Sequence, residues 1–205
     1  MLAYVFWHGP RAAGASEEYE RALIAFHRSL ARSLPVGTRA TASFRIGSPP
    51  WRGAGPVAAD AALLADGGYE DWYLLDDFAA LGVLNEAAVG RGHRSLHDAA
   101  AHRSGAGAGG LYALVEGEPC AQALGDAKLA SWIARPGGST QRALGELLGD
   151  GMEPEHASLW RRQMNLGPAP EFCLLARELS AGVGDARLPA GWSATTLARD
   201  VVWSG

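Results

Sequence analysis

Cysteine is nearly absent: the chain has only Cys120 and Cys173, in no CxxC pair. That excludes a disulfide framework and a thiolate zinc site, and it fits a reducing cytoplasm. Charge is also used sparingly. The 18 basic and 22 acidic residues leave a net charge of -4 with no run of one sign, so neither nucleic acid nor an anionic membrane is expected as a partner. No apolar run is long enough to span a bilayer. The opening MLAYVFWHGPR lacks the basic leader, the length and the cleavage site of a signal peptide, and it reads as a first strand. There is no G-x-S-x-G elbow and no H-E-x-x-H, and neither cysteine sits beside an obvious base, so nucleophilic and zinc-hydrolase chemistry are unsupported.

What is abundant is apolar surface and small residues. Of the 205 residues 48% are hydrophobic, enough for an ordinary core in one large domain. The wealth of Ala, Gly and Arg resembles the composition expected from a GC-rich bacterial genome, so Ala and Gly runs carry little weight. Residues 2–8 form an aromatic and β-branched run stopped by Gly9-Pro10, hence a strand. Ser16 followed by Glu17 and Glu18 opens a helix over about 17–33, with Tyr19, Leu23, Phe26 and Leu30 on one face. Thr38–Ile46 and Asp71–Leu75 read as the second and third strands. Between them lies a Gly/Pro/Ala-rich connection carrying Trp51 and one short helical turn near Ala58–Leu64. Asp76 or Asp77 caps a helix running to Ala88, and Ser95 opens a short one. The glycine-rich segment 104–110 lacks the Lys-Ser/Thr ending and the following helix of a phosphate loop, so it reads as a linker. Beyond it, Leu111–Val115 and Lys128–Ala134 are consistent with a hairpin. A Ser139-capped helix and strands near 158–166 and 171–176 follow, and no periodicity assigns the tail from 180.

The two halves align in the same order. Val5-Phe-Trp-His-Gly-Pro10 falls against Ser131-Trp-Ile-Ala-Arg-Pro136, and Ser43-Phe-Arg-Ile-Gly-Ser-Pro49 against Gln163-Met-Asn-Leu-Gly-Pro-Ala169. Asp71-Trp-Tyr-Leu-Leu75 falls against Glu171-Phe-Cys-Leu-Leu175. This pattern is that of a duplicated β-α-β-β unit. The expected fold class is therefore α+β: two ferredoxin-like β-α-β-β repeats, residues 1–103 and 110–205, fused in a single domain with antiparallel sheets facing each other as a pseudo-dimeric barrel. On these matches the chain resembles the dimeric α/β-barrel superfamily. That group includes cofactor-free monooxygenases of antibiotic biosynthesis, EthD-like proteins, stress-responsive barrel proteins and haem-binding chlorite-dismutase-like enzymes. The resemblance directs attention to a cavity between the sheets.

In the second strand Ala40, Ala42, Phe44 and Ile46 alternate with Thr41, Ser43 and Arg45. In the matching strand Trp160, Met164 and Leu166, interrupted by Arg162, alternate with Arg161, Gln163 and Asn165. With the apolar faces under helices, the polar faces would either meet bulk water or, as the barrel resemblance implies, line the cavity. They would meet Tyr4, Phe6 and His8 of the first strand, Trp72, Leu74 and Asp76 of the third, and Trp132, Phe172 and Leu174 of the second half. The candidate binding residues are thus His8, Arg45, Trp72, Asp76, Trp132, Arg161 and Gln163. The arginines would orient an anionic or enolate oxygen, His8 or Asp76 would handle a proton, and the tryptophans would wall an aromatic ligand. His93 and His97 stand at i,i+4 spacing, but Gly92 and the Ser95 cap break the helix there. No metal and no cofactor are expected. The expected partner is a small molecule, with the chain monomeric or homodimeric. The competing reading is a non-catalytic scaffold or oligomerisation module whose aromatics meet a second chain.

Overall fold

Alternation of side chains fixes the first strand, β1 (Leu2–Pro10). Ala3, Val5 and Trp7 join one buried cluster, while Leu2 joins a different one with Tyr4 packed beside it. The chain then enters α1 (Ser16–Arg32), with Glu17 and Glu18 in the first turn and Arg32 in the last, the charge order a helix dipole favours. Its buried residues Tyr19, Leu23, Phe26, His27 and Leu30 form one stripe. Strands β2 (Thr38–Ile46) and β3 (Gly68–Leu75) follow, then α2 (Phe78–Asn85), which is capped by the Asp77 carboxylate accepting from the Ala80 amide at 2.9 Å. A single π-helical turn (Glu86–Gly90) and α3 (Arg94–Ala101) lead to the long strand β4 (Ser104–Glu116). The remaining elements are α4 (Ala121–Asp126), β5 (Leu129–Ala134), β6 (Ala157–Asn165), β7 (Phe172–Ala176) and β8 (Ser193–Ser204). The computed structural model describes residues 1–12, 15–49, 67–90, 92–139, 157–165, 169–178, 188 and 190–205. The expected turn near 58–64, the helix after Ser139 and Trp51 lie outside these residues.

The eight strands close on themselves in the order β1-β3-β2-β8-β5-β7-β6-β4, and every neighbouring pair is antiparallel. This corrects the expected α+β class and its dimeric α/β-barrel resemblance. The molecule is a mostly β, single closed eight-stranded antiparallel barrel with four α-helices among the described residues, not two sheets facing each other. Two ladders carry the difference. β2 pairs with β8, Ala42 opposite Ser204, and β4 pairs with β6, Gly110 opposite Asn165. Both join strands distant in sequence, so no comparison of one half with the other reveals them. Closure leaves no open sheet edge.

Two further expectations change for local reasons. The supposed linker 104–110 is the first half of β4: Ala108, Gly109 and Gly110 pair with Trp7, Phe6 and Val5, because a strand without side chains lets large neighbours lie across it. A Cβ at Gly109 would stand 2.8 Å from the Tyr4 hydroxyl. Nor do β4 and β5 form a hairpin; α4 separates them, and β5 pairs with β7 and β8. The unassigned tail supplies β8, which joins β2 to β5.

The lumen is filled. Trp7, Trp72, Trp132 and Trp160 are each 0–1% exposed and pack with Phe44, Tyr112, Cys173 and Ala40, Ala42 and Ala130. A second apolar layer lies outside the sheet, where Leu2, Tyr73, Leu75 and Leu111 meet Phe26 and Leu30 of α1 and Ala80 and Leu84 of α2. The connection from α1 to β2 depends on Gly37, whose φ is +81° and whose hypothetical Cβ would lie 2.6 Å from the Ala80 Cβ. Gly37→Ala is therefore expected to cost about 2 kcal/mol, from the left-handed backbone and from the displaced N-terminus of α2. A urea midpoint unchanged from wild type would refute this.

Candidate functional site

Barrel closure decides which face of each strand is dry. Ala40, Ala42, Phe44 and Ile46 point into the lumen with Trp72, Leu74, Trp132, Cys173 and Leu175. Tyr4, Tyr69, Asp71, Tyr73 and Leu75 belong to the outer face beneath the helices. The expected facing of β1, β2, β6 and β7 is thus inverted: Ala3, Val5 and Trp7, the apolar side of β2 and Trp160 line the lumen, while Tyr4, Phe6 and His8 lie on the outer face and Phe172 and Leu174 sit outside with Ile133 and Leu159.

The structure brings together only two of the candidate residues. Trp72 and Trp132 meet in the lumen at 6.4 Å between ring centroids. His8 is buried on the outer face. Arg45 is on the outer face with its side chain 54% exposed and bonded to Glu20, which also accepts from the Tyr69 hydroxyl at 2.9 Å. Asp76 follows the last residue of β3 and accepts from Arg39 Nε at 2.6 Å. Arg161 and Gln163 are exposed on β6, the Gln163 amide reaching the Arg161 and Arg162 carbonyls among the described residues. His93 and His97 do not converge: His93 Nδ1 meets Ser29 Oγ at 2.7 Å, and His97 lies against Asp98.

Two polar centres emerge that the pattern of strands did not disclose. The first is in the lumen. Glu70, fully buried, accepts from Trp7 Nε1 at 2.9 Å and from Trp72 Nε1 at 2.7 Å, and it faces Arg199 Nε at 3.1 Å. The Arg199 guanidinium lies 3.4 Å over the Phe44 ring and donates through Nη1 to the Ala127 carbonyl at 3.1 Å. Burial pushes the Arg199 ionisation down and the Glu70 charge opposes it. Burial, then the Glu70 charge, pushes the nearby Cys173 thiol well up, so it is an inert hydrophobe here and no nucleophile.

The second centre lies between the outer face of β1 and β3 and the helix α1. His8 Nε2 stands 3.0 Å and His27 Nε2 3.2 Å from the same oxygen, Asp71 Oδ2. Both approaches are oblique: close enough for strong Coulomb attraction, off line for an ideal hydrogen bond. The Tyr73 hydroxyl donates to that oxygen at 3.3 Å, and the Tyr19 hydroxyl lies 2.5 Å from His8 Nδ1. His8, His27, Asp71 and Tyr19 are each at most 2% exposed. Burial would raise the Asp71 pKa, but electrostatic attraction to His8 and then to His27 outweighs it and holds the carboxyl well below its usual range. Burial holds Tyr19 and Tyr73 neutral far above the ordinary tyrosine range, with the Asp71 charge adding to it. Among the described residues no group of three side chains is arranged to hold a metal ion.

The second centre adjoins the surface and the first does not. His8 stacks on Phe6 at 5.1 Å, Phe6 on Tyr4 at 6.4 Å, and both Phe6 and Tyr4 are only half-buried. A readable signal existed for this site. His27 falls on the buried stripe of α1 beside Phe26, and Asp71 shares the parity of Tyr73 and Leu75, opposite to that of Trp72 and Leu74, which were expected to face the cavity. Nothing in the local pattern pointed to Glu70 and Arg199.

Fold and site together define a closed antiparallel barrel with an ion pair sealed in its lumen and a histidine–aspartate cluster under its helices. No family model matches the chain, and no curated protein sequence does. Among solved structures it is similar to one described as a "putative monooxygenase from Lactobacillus acidophilus NCFM", with a TM-score of 0.54 and 9% identity over 100% of this chain and 98% of that one. It is also similar to an anthrone oxidase-like protein, with a TM-score of 0.51 and 10% identity over 100% of this chain and 92% of that one. At these identities the shared property is the barrel fold.

Proposed function

We propose that the protein binds a small aromatic molecule bearing an ionisable oxygen against the Tyr4–Phe6–His8 stack, and that the Tyr19 hydroxyl, held at His8 Nδ1 with Asp71 and His27 behind that ring, relays a proton between His8 and that oxygen. The observation that carries this reading is the convergence of two imidazoles on one carboxylate oxygen, sealed from water yet reached from the surface through half-buried rings. A carboxylate behind an imidazole orients the ring and stabilises its protonated form. The aromatic stack supplies area and the polar centre supplies orientation, the usual division of labour in a small-molecule site. The lumen is a weaker candidate because its charged groups are mutually neutralised and fully enclosed.

An anthrone, the compound class in one structural neighbour's description, is a suitable probe: a flat tricyclic ketone whose enol form has an ionisable oxygen. Anthracene serves as the oxygen-free control. Titration followed by tryptophan and tyrosine fluorescence is expected to show saturable binding of both, tighter for anthrone. His8→Gln should weaken anthrone about tenfold and leave anthracene unchanged. Gly109→Val, which crowds Tyr4 without touching His8, should weaken both. If neither probe binds and the solution mass is that of a dimer, the reading falls and the scaffold alternative replaces it.

A further inference from the structure

Behind the histidine–aspartate cluster, away from the aromatic stack, the outer face of the barrel carries several buried polar atoms with no partner. They are Asp71 Oδ1, His27 Nδ1, Ser43 Oγ and Thr41 Oγ1, in residues 2%, 0%, 0% and 1% exposed, and Trp203 Nε1. The ladder places them together. Ser43 is opposite Asp71 on one side and opposite Trp203 on the other, and Thr41 is opposite Tyr73. Paired residues on one face have Cβ atoms about 5 Å apart. His27 descends onto this patch from α1, its ring stacked on Tyr73 at 5.4 Å and its Nε2 at Asp71. The end of β8 bounds the patch, with Gly205 and Thr41 exchanging backbone hydrogen bonds of 2.8 and 3.0 Å.

One unpartnered buried hydroxyl is an ordinary imperfection, but several on adjacent ladder positions is not, because each forfeits its hydration. The set is also complementary. Asp71 Oδ1 only accepts, Trp203 Nε1 only donates, and the two hydroxyls do both. A molecule that donates twice and accepts twice satisfies this mixture, and a molecule of water is small enough to fit beneath a helix. We infer that the space between β2, β3, β8 and α1 is a binding site for ordered internal water, and that this water hydrogen-bonds Asp71 Oδ1, Ser43 and Thr41. It gives the buried carboxylate a second proton connection, on the side opposite Tyr19 and His8. The inference stands on the orphaned atoms and does not depend on the proposed aromatic ligand.

The test needs no ligand. In wild-type protein, rotating-frame Overhauser spectra are expected to show long-lived water next to the Thr41 methyl, and oxygen-17 relaxation dispersion to count at least one more slowly exchanging water than in Thr41→Val/Ser43→Ala. Thr41→Val alone is expected to lower the melting temperature, since it removes a satisfied hydroxyl. A dry site predicts the opposite sign, because removing an unsatisfied hydroxyl stabilises. Absence of the water signal at Thr41 in the wild-type protein overturns the inference, whether or not the double variant folds.

Discussion

Glu70→Ala is expected to destabilise the barrel by about 3–5 kcal/mol, the cost of leaving a buried charge without its counter-ion. Arg199 is 2% exposed, and its other contacts are the Ala127 carbonyl and the faces of Phe44 and Trp72. None of these replaces a carboxylate. The indole N–H groups of Trp7 and Trp72 also lose their acceptor. Adding Arg199→Met to Glu70→Gln removes both charges, keeps an acceptor for the indoles and fills similar volume, so this double variant is expected to recover most of the loss. Urea denaturation of wild type, Glu70→Ala and the double variant decides the matter. Equal stability of Glu70→Ala and wild type would show that the pair contributes nothing, and no recovery in the double variant would show that packing, not charge, is at stake. The pair also spans β2 at one of the closing ladders, since Glu70 is on β3 and Arg199 on β8, the two strands that flank β2.

Asp71→Ala is expected to cost less, about 1–3 kcal/mol, because it removes the carboxylate that His8 and His27 share and leaves the buried Tyr73 hydroxyl without its acceptor. Asp71→Asn should cost less, as the amide keeps the shape and one acceptor. The two differ further from wild type in acid. The folded-state Asp71 carboxyl is held below the ordinary value of 3.8, so its contribution is fully present above about pH 4 and is lost as pH falls below that toward the folded-state value. Wild-type stability should therefore decline below about pH 4 with a slope that Asp71→Asn partly removes. Parallel acid limbs for the two proteins would contradict the assignment of Asp71 as the charged hub of the cluster.

Both effects trace to residues whose partners are far away in the chain, and this sets what a reader of the sequence sees. The second strand was legible to the residue, Thr38–Ile46, because its alternation is unbroken and Gly47-Ser48-Pro49 ends it. The helix over Ser16–Arg32 was legible within a residue from its acidic start and its apolar stripe. The binding set was not. Arg45 is polar because it meets Glu20 at the surface, and Asp76 because it meets Arg39. Parity says that Thr41, Ser43 and Arg45 share a face, but not whether that face looks inward.

What the sequence by itself determined, then, is local: the strands β1, β2 and most of β3, which stripe of α1 is buried, and that no disulfide framework holds the chain together. These follow from periodicity and composition, which act over a few residues. Only the tertiary structure decided that the strands close into one barrel, that the apolar side of β2 faces the lumen, and that His8, His27 and Asp71 meet. The reason is that closure is made by ladders between distant strands, β2 with β8 and β4 with β6. Until those pairs form, either face of a strand is free to be the inside. Once they form, the enclosed face must be the apolar one, and the polar residues opposite it are left to find partners beneath the helices.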